Sequence, residues 1–193
     1  MYVRDAKNRE EVWLLDRIEE MGLDDTAFRS RDYVLAIDEE SHEKAGFGRI
    51  RIHKGDEPVC ELTSIGVLPE WRNQGVGAHV IERLVEYAGD EGFDTVYSLT
   101  SASEYLSQFG FERLEPAQLP DSLRDRLATK QENIQPGAVP LRVAVDRFQV
   151  PGHLRSRFKE ASAGGSEEAE PEEGPEDFGI DPDEATYKYD TGD

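Results

Sequence analysis

Residues 67–78, Val-Leu-Pro-Glu-Trp-Arg-Asn-Gln-Gly-Val-Gly-Ala, constrain this chain more than any other stretch. An apolar run meets a proline turn and a loop with two spaced glycines. A helical pattern then begins at once, with Val76, Val80, Ile81, Leu84, Val85 and Ala88 on its apolar side. That order sets the unpaired N–H groups of a helix start at the mouth of a loop, where the helix dipole favours an anion. Gly75 and Gly77 lack a Cβ, so backbone can approach a phosphate closely there. Arg72 adds a permanent, forked positive charge matched to phosphate oxygens. The segment has the form of a phosphate cradle made of Arg72, Gln74, Gly75, Val76, Gly77 and Ala78. It is not a Walker loop, because no Gly-Lys-Ser/Thr follows. Nor is it a dinucleotide fingerprint, because Val80 stands where the third glycine belongs. The plain alternative is an ordinary strand-to-helix turn with capping glycines.

Around the cradle, the periodicity predicts a short strand over 2–4 and a helix over 9–21 that stops at Gly22. Strands follow over 33–38, 45–53 and 59–67. In the second of these, Gly46, Gly48, Ile50 and Ile52 share one face, and Phe47, Arg49, Arg51 and His53 the other. In the third, the odd positions Val59, Glu61, Thr63, Ile65 and Val67 share a face, with Cys60 on the opposite side. A helix over 75–88, a strand over 95–100, a short helix over 103–109, a brief strand over 111–114, a helix over 120–129 and a strand over 139–146 complete the series.

The chain has 193 residues, enough for one ordinary domain. Its 42 acidic residues outweigh 22 basic ones, only six of which are lysine. Such a surface suits concentrated salt, where repulsion is screened, and points to a halophilic source. The plain alternative is an ordinary acidic protein with an acidic tail: residues 160–193 carry a net −12 and residues 1–159 the other −8. Either way, a nucleic-acid partner is disfavoured, since phosphate backbones need basic patches. No apolar run is long enough to span a membrane, and no signal peptide opens the sequence. Cys60 stands alone, which excludes an internal disulfide and favours a reducing, cytoplasmic setting. His42, His53, His79 and His153 show no metal-site spacing, so no metal is expected. Beyond Phe158 the composition turns abruptly to small and acidic residues. The reading is a domain over 1–159 and a disordered acidic tail over 160–193.

The triplet Arg72, Gly75 and Gly77, with Val67 and Pro69 ahead of it, resembles the acetyl-CoA signature R/Q-x-x-G-x-G/A of the GNAT acetyltransferases. The element order over 2–146 is similar to the GNAT fold. That resemblance implies an α/β (α+β) architecture, with a mixed, mostly antiparallel sheet splayed between its fourth and fifth strands and flanked by helices. Residues 105–111, Tyr-Leu-Ser-Gln-Phe-Gly-Phe, resemble the family's later short helix ending in Gly-Phe. Many members carry a tyrosine four residues before that glycine. Here Leu106 occupies the position, and Tyr105 comes one residue early. Within the family, residues 61–67, 98–101, 110–111 and 117–120 are similar to the acetyltransferase domain of bacterial N-acetylglutamate synthases. The amino-acid-kinase segment of several such synthases has no counterpart in these 193 residues.

The resemblance implies acetyl-CoA as co-substrate, with its pyrophosphate in the cradle. It assigns Val67 main-chain groups to the pantetheine amides and the Ile65 N–H to the thioester carbonyl. One such oxyanion donor contributes about 3 kcal/mol. An amine acceptor is mostly protonated at neutral pH, so a base is needed. Glu61 is the candidate, on the same predicted face as Ile65 and roughly 13 Å along the strand, a span that a bridging water would close. The competing reading is a surface glutamate at a strand end. Ser101 is the implied proton donor to the departing thiolate, with Tyr105 as its rival. Arg49, Arg51 and Arg142 are candidates for holding an acceptor carboxylate, against the plain reading of solvated arginines paired with the many acids. The expected function is acetyl transfer to a primary amine, favouring a free amino acid such as glutamate as small-molecule acceptor. A protein lysine or N-terminus, and a non-catalytic acetyl-CoA-binding module, are the alternatives. Dimers are frequent in this fold, so a homodimer is a compatible state, though no residue demonstrates one.

Overall fold

The apolar runs pair into one seven-stranded sheet in the computed structural model, which describes residues 1–165. In chain order the elements are β1 (Tyr2–Asp5), α1 (Glu11–Glu20), β2 (Tyr33–Ile37), β3 (Lys44–His53), β4 (Val59–Val67) and α2 (Val76–Asp90). They continue with β5 (Thr95–Thr100), α3 (Ser103–Ser107), β6 (Glu112–Arg113), α4 (Asp121–Asn133), β7 (Val139–Ala144) and α5 (Gly152–Glu160). The strand order is β1-β2-β3-β4-β5-β7-β6. Every neighbouring pair is antiparallel except β4 and β5, which are parallel. This is the mixed, mostly antiparallel architecture the sequence led us to expect.

Helix α2 carries the widest apolar stripe and packs on β3 and β4 through Val76, Val80, Ile81 and Leu84. The approach is close because β3 presents glycines: a Cβ on Gly48 would lie 2.4 Å from Ile65 Cδ1 and 2.9 Å from Val80 Cγ1. Leu14 and Ile18 of α1, with Met21 just past its end, form a separate core with Tyr33, Leu35, Ile37 and Phe47. By strand alternation, that core lies on the opposite face of β2 from Val34 and Ala36. Helix α4 buries Leu123 and Leu127 with Leu99 and Leu119.

Strand β4 begins and ends where the sequence places it, but its alternation does not survive. Thr63 pairs with Arg49 and the next registered pair is Gly66 with Phe47, leaving Ser64 and Ile65 opposite Gly48. Ser64 takes a left-handed conformation (φ 55°). This β-bulge inserts one residue and flips the faces beyond it. Ile65 and Val67 therefore join Cys60 and Leu62 in the α2 core. Glu61 points the other way, towards His53 and α4. The expectation that Glu61 and Ile65 share a face is corrected by that single residue.

The C-terminal part of the domain departs further from expectation. Residues 152–160, assigned no element from the sequence, form α5, whose Leu154 is completely buried. Residues 161–165, expected to belong to the disordered tail, are hydrogen-bonded to the cradle segment: the Gly164 N–H donates to the Glu70 carbonyl at 2.7 Å. The rest of the expected acidic tail lies outside the described residues.

Candidate active site

Pairing of β4 with β5 covers only Cys60–Val96, Glu61–Tyr97 and Leu62–Ser98. Past this point the two strands part around a narrow cleft, lined by Thr63, Ser64, Ile65, Thr100, Leu106 and Lys130 among others. The bulge lifts Ser64 and Ile65 out of register with β3 at the same level. It is pinned by the Ser64 hydroxyl, which donates to the Asp24 carbonyl at 2.5 Å.

The cradle follows at the end of β4. Asn73 (φ 62°) and Gly75 (φ 75°) are both left-handed, and together they turn the chain into α2. Gly75 is needed for a reason the sequence did not suggest. A Cβ there would lie 2.3 Å from the Leu154 carbonyl oxygen, so α5 rests directly on the loop. Gln74 is buried, and its amide exchanges two hydrogen bonds with Ser162: Nε2 donates to the carbonyl (2.8 Å) and Oε1 accepts from the N–H (2.9 Å). Arg72 Nε donates to the Val67 carbonyl at 3.1 Å. Val76, Gly77 and Ala78 form the buried first turn of α2. His79 donates from Nδ1 to the Gly75 carbonyl (2.8 Å) and stacks on Phe158 of α5 with ring centroids 3.9 Å apart. All six predicted cradle residues thus meet at one loop–helix junction, with α5 as an unforeseen wall.

Beside the cleft lies a buried network of charges. Glu61 is fully buried, and its Oε1 accepts from Arg126 Nε (2.5 Å) and from His53 Nε2 (2.8 Å). Arg126 also bridges to Asp24, whose Oδ1 accepts from the Thr26 N–H at 2.9 Å. Burial pushes the Glu61 carboxyl up, but the His53 hydrogen bond and the charges of Arg126 and Lys130 outweigh it, so it titrates below its ordinary range. Asp24 behaves likewise, with burial outweighed by Thr26 and Arg126. For Lys130 burial wins over attraction to Glu61, and its ammonium is pushed down. The Lys130 main-chain carbonyl accepts from the Ile134 and Gln135 N–H groups, but its ammonium makes no hydrogen bond or ion pair among the described residues. Glu61 Oε2, Thr63 Oγ1 and Gln135 Oε1 are buried without a hydrogen-bond partner.

The other predicted residues separate into distinct settings. Arg49 is fully buried and holds the 24–27 loop, donating to the carbonyls of Thr26 (2.5 Å) and Ala27 (3.2 Å) with its guanidinium over the Tyr33 ring. Arg51 lies opposite Glu61 in register and is half-buried; burial and nearby Arg126 lower its pKa. Arg142 is exposed on β7, in register between Tyr97 and Glu112. Ser101 is exposed at the cleft's end, where its Oγ accepts from Gln135 Nε2 at 2.6 Å. Tyr105 packs edge-on against Phe109, while its neighbour Leu106 lines the cleft.

Sequence reasoning missed Asp24, Arg126, Lys130 and Gln135, and gave His53 a face but no role. Lys130 did carry a signal: it continues the buried stripe Leu123–Leu127 on α4, where an apolar residue is expected. Asp24 and Gln135 sit in loops, where no periodicity marks them.

Among the described residues, no group of three or more His, Cys, Asp or Glu could hold a metal ion, and no helix is long and apolar enough to cross a membrane. A sequence profile of the acetyltransferase (GNAT) family matches residues 2–111, from β1 through the cradle to α3. An uncharacterized N-acetyltransferase of Chlorobaculum tepidum is 29% identical over 65 residues, spanning 34% of this chain and less than half (42%) of the relative. Among solved structures, N-acetylglutamate synthase from Neisseria gonorrhoeae, complexed with coenzyme A and N-acetyl-glutamate, superimposes with a TM-score of 0.63 at 15% identity. That match covers 75% of this chain and 35% of the synthase. Rv2747 of Mycobacterium tuberculosis, in complex with CoA and NLQ, gives 0.63 at 16% identity over 75% of this chain and 99% of its own. Arabidopsis thaliana Naa50, bound to a bisubstrate analogue, gives 0.55 at 14% identity over 74% and 97%. These likenesses establish the fold. With the matched profile spanning more than half of the sequence, the chain belongs to the acetyltransferase (GNAT) family.

Proposed function

We propose that this protein transfers the acetyl group of acetyl-CoA to the amine of a small, carboxylate-bearing acceptor, with a free amino acid such as glutamate favoured. The observation that carries the reading is Lys130. It is buried in the cleft wall, its ammonium makes no hydrogen bond or ion pair among the described residues, and the charges of Glu61, Arg126 and Arg49 all act on it. Around Glu61 and Asp24 stand Arg49, Arg51, Arg126 and Lys130, a local excess of positive charge in a chain of net charge −20. A buried ammonium that Glu61 attracts without a hydrogen bond is incompletely compensated, and an acceptor carboxylate would offset that cost.

The site suits acetyl-CoA. The parted strands leave β4 unpaired with β5 from Thr63 to Val67, and the cradle presents a helix start beside Arg72. In the reaction the neutral amine attacks the thioester carbonyl carbon, forming a C–N bond and moving an electron pair onto oxygen. The Ile65 N–H at the bulge is the assigned donor to that oxygen. Collapse breaks the C–S bond, and the departing thiolate takes up a proton while the amine loses one. Glu61, held ionised by His53 and Arg126, is a poor store for a proton. Its role is to attract the ammonium or a bridging water through Oε2 and let the proton pass to solvent. Ser101, bonded to Gln135 at the cleft's end, stands ahead of core-packed Tyr105 as proton source for the thiolate.

The test is CoA release by the purified protein, with free amino acids, the same amino acids amidated at their carboxylates, and a lysine peptide. Turnover confined to the free carboxylates is expected. Turnover of the peptide alone would establish a protein acetyltransferase, and acetyl-CoA binding without turnover on any amine would establish a binding module.

A further inference from the structure

A second gathering of positive charge lies at the outer edge of the sheet, remote in sequence from the cleft network. A groove between β1 and the start of α1 is lined by Tyr2, Arg4, Lys7, Arg9, Trp13 and Lys44, with Glu10 as the only acid in its lining. The Glu10 charge is already answered. Its two oxygens accept from the Arg4 guanidinium at 2.6 and 2.9 Å, and Oε2 also takes the Lys7 N–H at 2.7 Å, which holds its carboxyl at about 2. Lys7, Arg9 and Lys44 make no ion pair among the described residues. The Lys44 ammonium lies over the Trp13 ring, 5.3 Å from its centroid. Two of the chain's six lysines therefore sit in one aromatic-floored groove, although residues 1–159 are acidic overall.

The complement to this groove is in the same chain. Residues 166–193 hold twelve acids and one lysine, with Phe178, Tyr187 and Tyr189 interspersed. Their point of departure is also nearby. The Gly164 N–H is bonded to the Glu70 carbonyl, and the Leu68 N–H, two residues back, to the carbonyl of Ala45, the neighbour of Lys44. At roughly 3.3–3.6 Å per extended residue, the segment has ample length to reach the groove. We infer that residues 166–193 dock in this groove on their own chain, setting carboxylates on Lys7, Arg9 and Lys44 and an aromatic ring beside Trp13. This occupant matches both the charge and the aromatic floor, and it carries the local concentration of a tether.

Acrylamide quenching of the full chain at low ionic strength tests the docking. Trp71 is only 3% exposed, so half-buried Trp13 dominates the signal. The wild type should protect Trp13. Replacing Glu167, Glu168, Glu170, Glu172, Glu173 and Glu176 by Gln should remove that protection without touching the core. The triple variant Lys7→Glu, Arg9→Glu, Lys44→Glu should do the same, since losing three exposed ion pairs weakens docking roughly tenfold. Combining that triple variant with lysines at the six tail positions should restore protection. Equal quenching in all four proteins would overturn the inference. Protection that grows with protein concentration would assign the groove to a second copy's tail and overturn docking on the same chain. Protection of the neutralised-tail variant by inorganic phosphate or ADP, with no difference between that variant and wild type beforehand, would assign the groove to a small anion instead.

Discussion

At the scale of single residues, Glu61 anchors the buried charge network, and the proposed reaction also draws on it. Its carboxylate satisfies Arg126 and His53 and faces Lys130, so its loss would leave buried cations uncompensated. Glu61→Gln should therefore destabilise the fold by about 3–5 kcal/mol, as well as slow acetyl transfer. The pH dependence has a definite sign. Glu61, Asp24 and Glu10 all titrate lower when folded than when unfolded, so their stabilisation is present above the ordinary carboxylate range and is lost as pH falls through their folded values. Urea midpoints should fall steeply below about pH 4, and the fall should be shallower in Glu61→Gln. A variant with wild-type midpoints at every pH would remove Glu61 from the network. Glu61 was legible in the sequence because it sits at a recognisable place in β4, ahead of the bulge. Its partners were not, because Asp24 and Arg126 come from distant segments that only the fold brings together.

Among the elements, β4 and α5 show what local pattern can and cannot reveal. The bounds of β4 are plain in its composition, yet the left-handed Ser64 is an ordinary residue in an unusual conformation, and nothing in the alternation announces it. The family resemblance implies a sheet splayed between β4 and β5, and the bulge lies at that level, but the alternation does not mark which residue is displaced. Helix α5 escaped notice because it is short and polar, with a single buried anchor, Leu154. That anchor has a testable consequence. Gly75→Ala would set a methyl group 2.3 Å from the Leu154 carbonyl and require a side chain at φ 75°. Backbone must move on one side or the other, at a cost on the order of 1–3 kcal/mol. Hydrogen exchange should show α5 amides losing protection while those of α2 keep it; unchanged protection in α5 would show that the helix is not held by this contact.

For the molecule as a whole, the acidic composition hides two local reversals of sign, one lining the cleft and one at the β1 edge. Net charge said nothing of either, since both depend on side chains gathered from separate elements. The fold was legible from the order of its strands and from the cradle. The residues proposed to meet the acceptor carboxylate, Arg126 and Lys130, were not, because nothing in the α4 segment ties them to Glu61 on β4. The central claim is that Lys130 makes the cleft selective for a carboxylate. The most direct measurement is kcat/KM for glutamate and for its carboxamide counterparts, in the wild type and in Lys130→Met. The wild type should prefer the carboxylate by roughly 10- to 100-fold, as expected for one charge-assisted contact, and Lys130→Met should erase most of that preference while leaving acetyl-CoA affinity unchanged. Undiminished preference in Lys130→Met would contradict the claim.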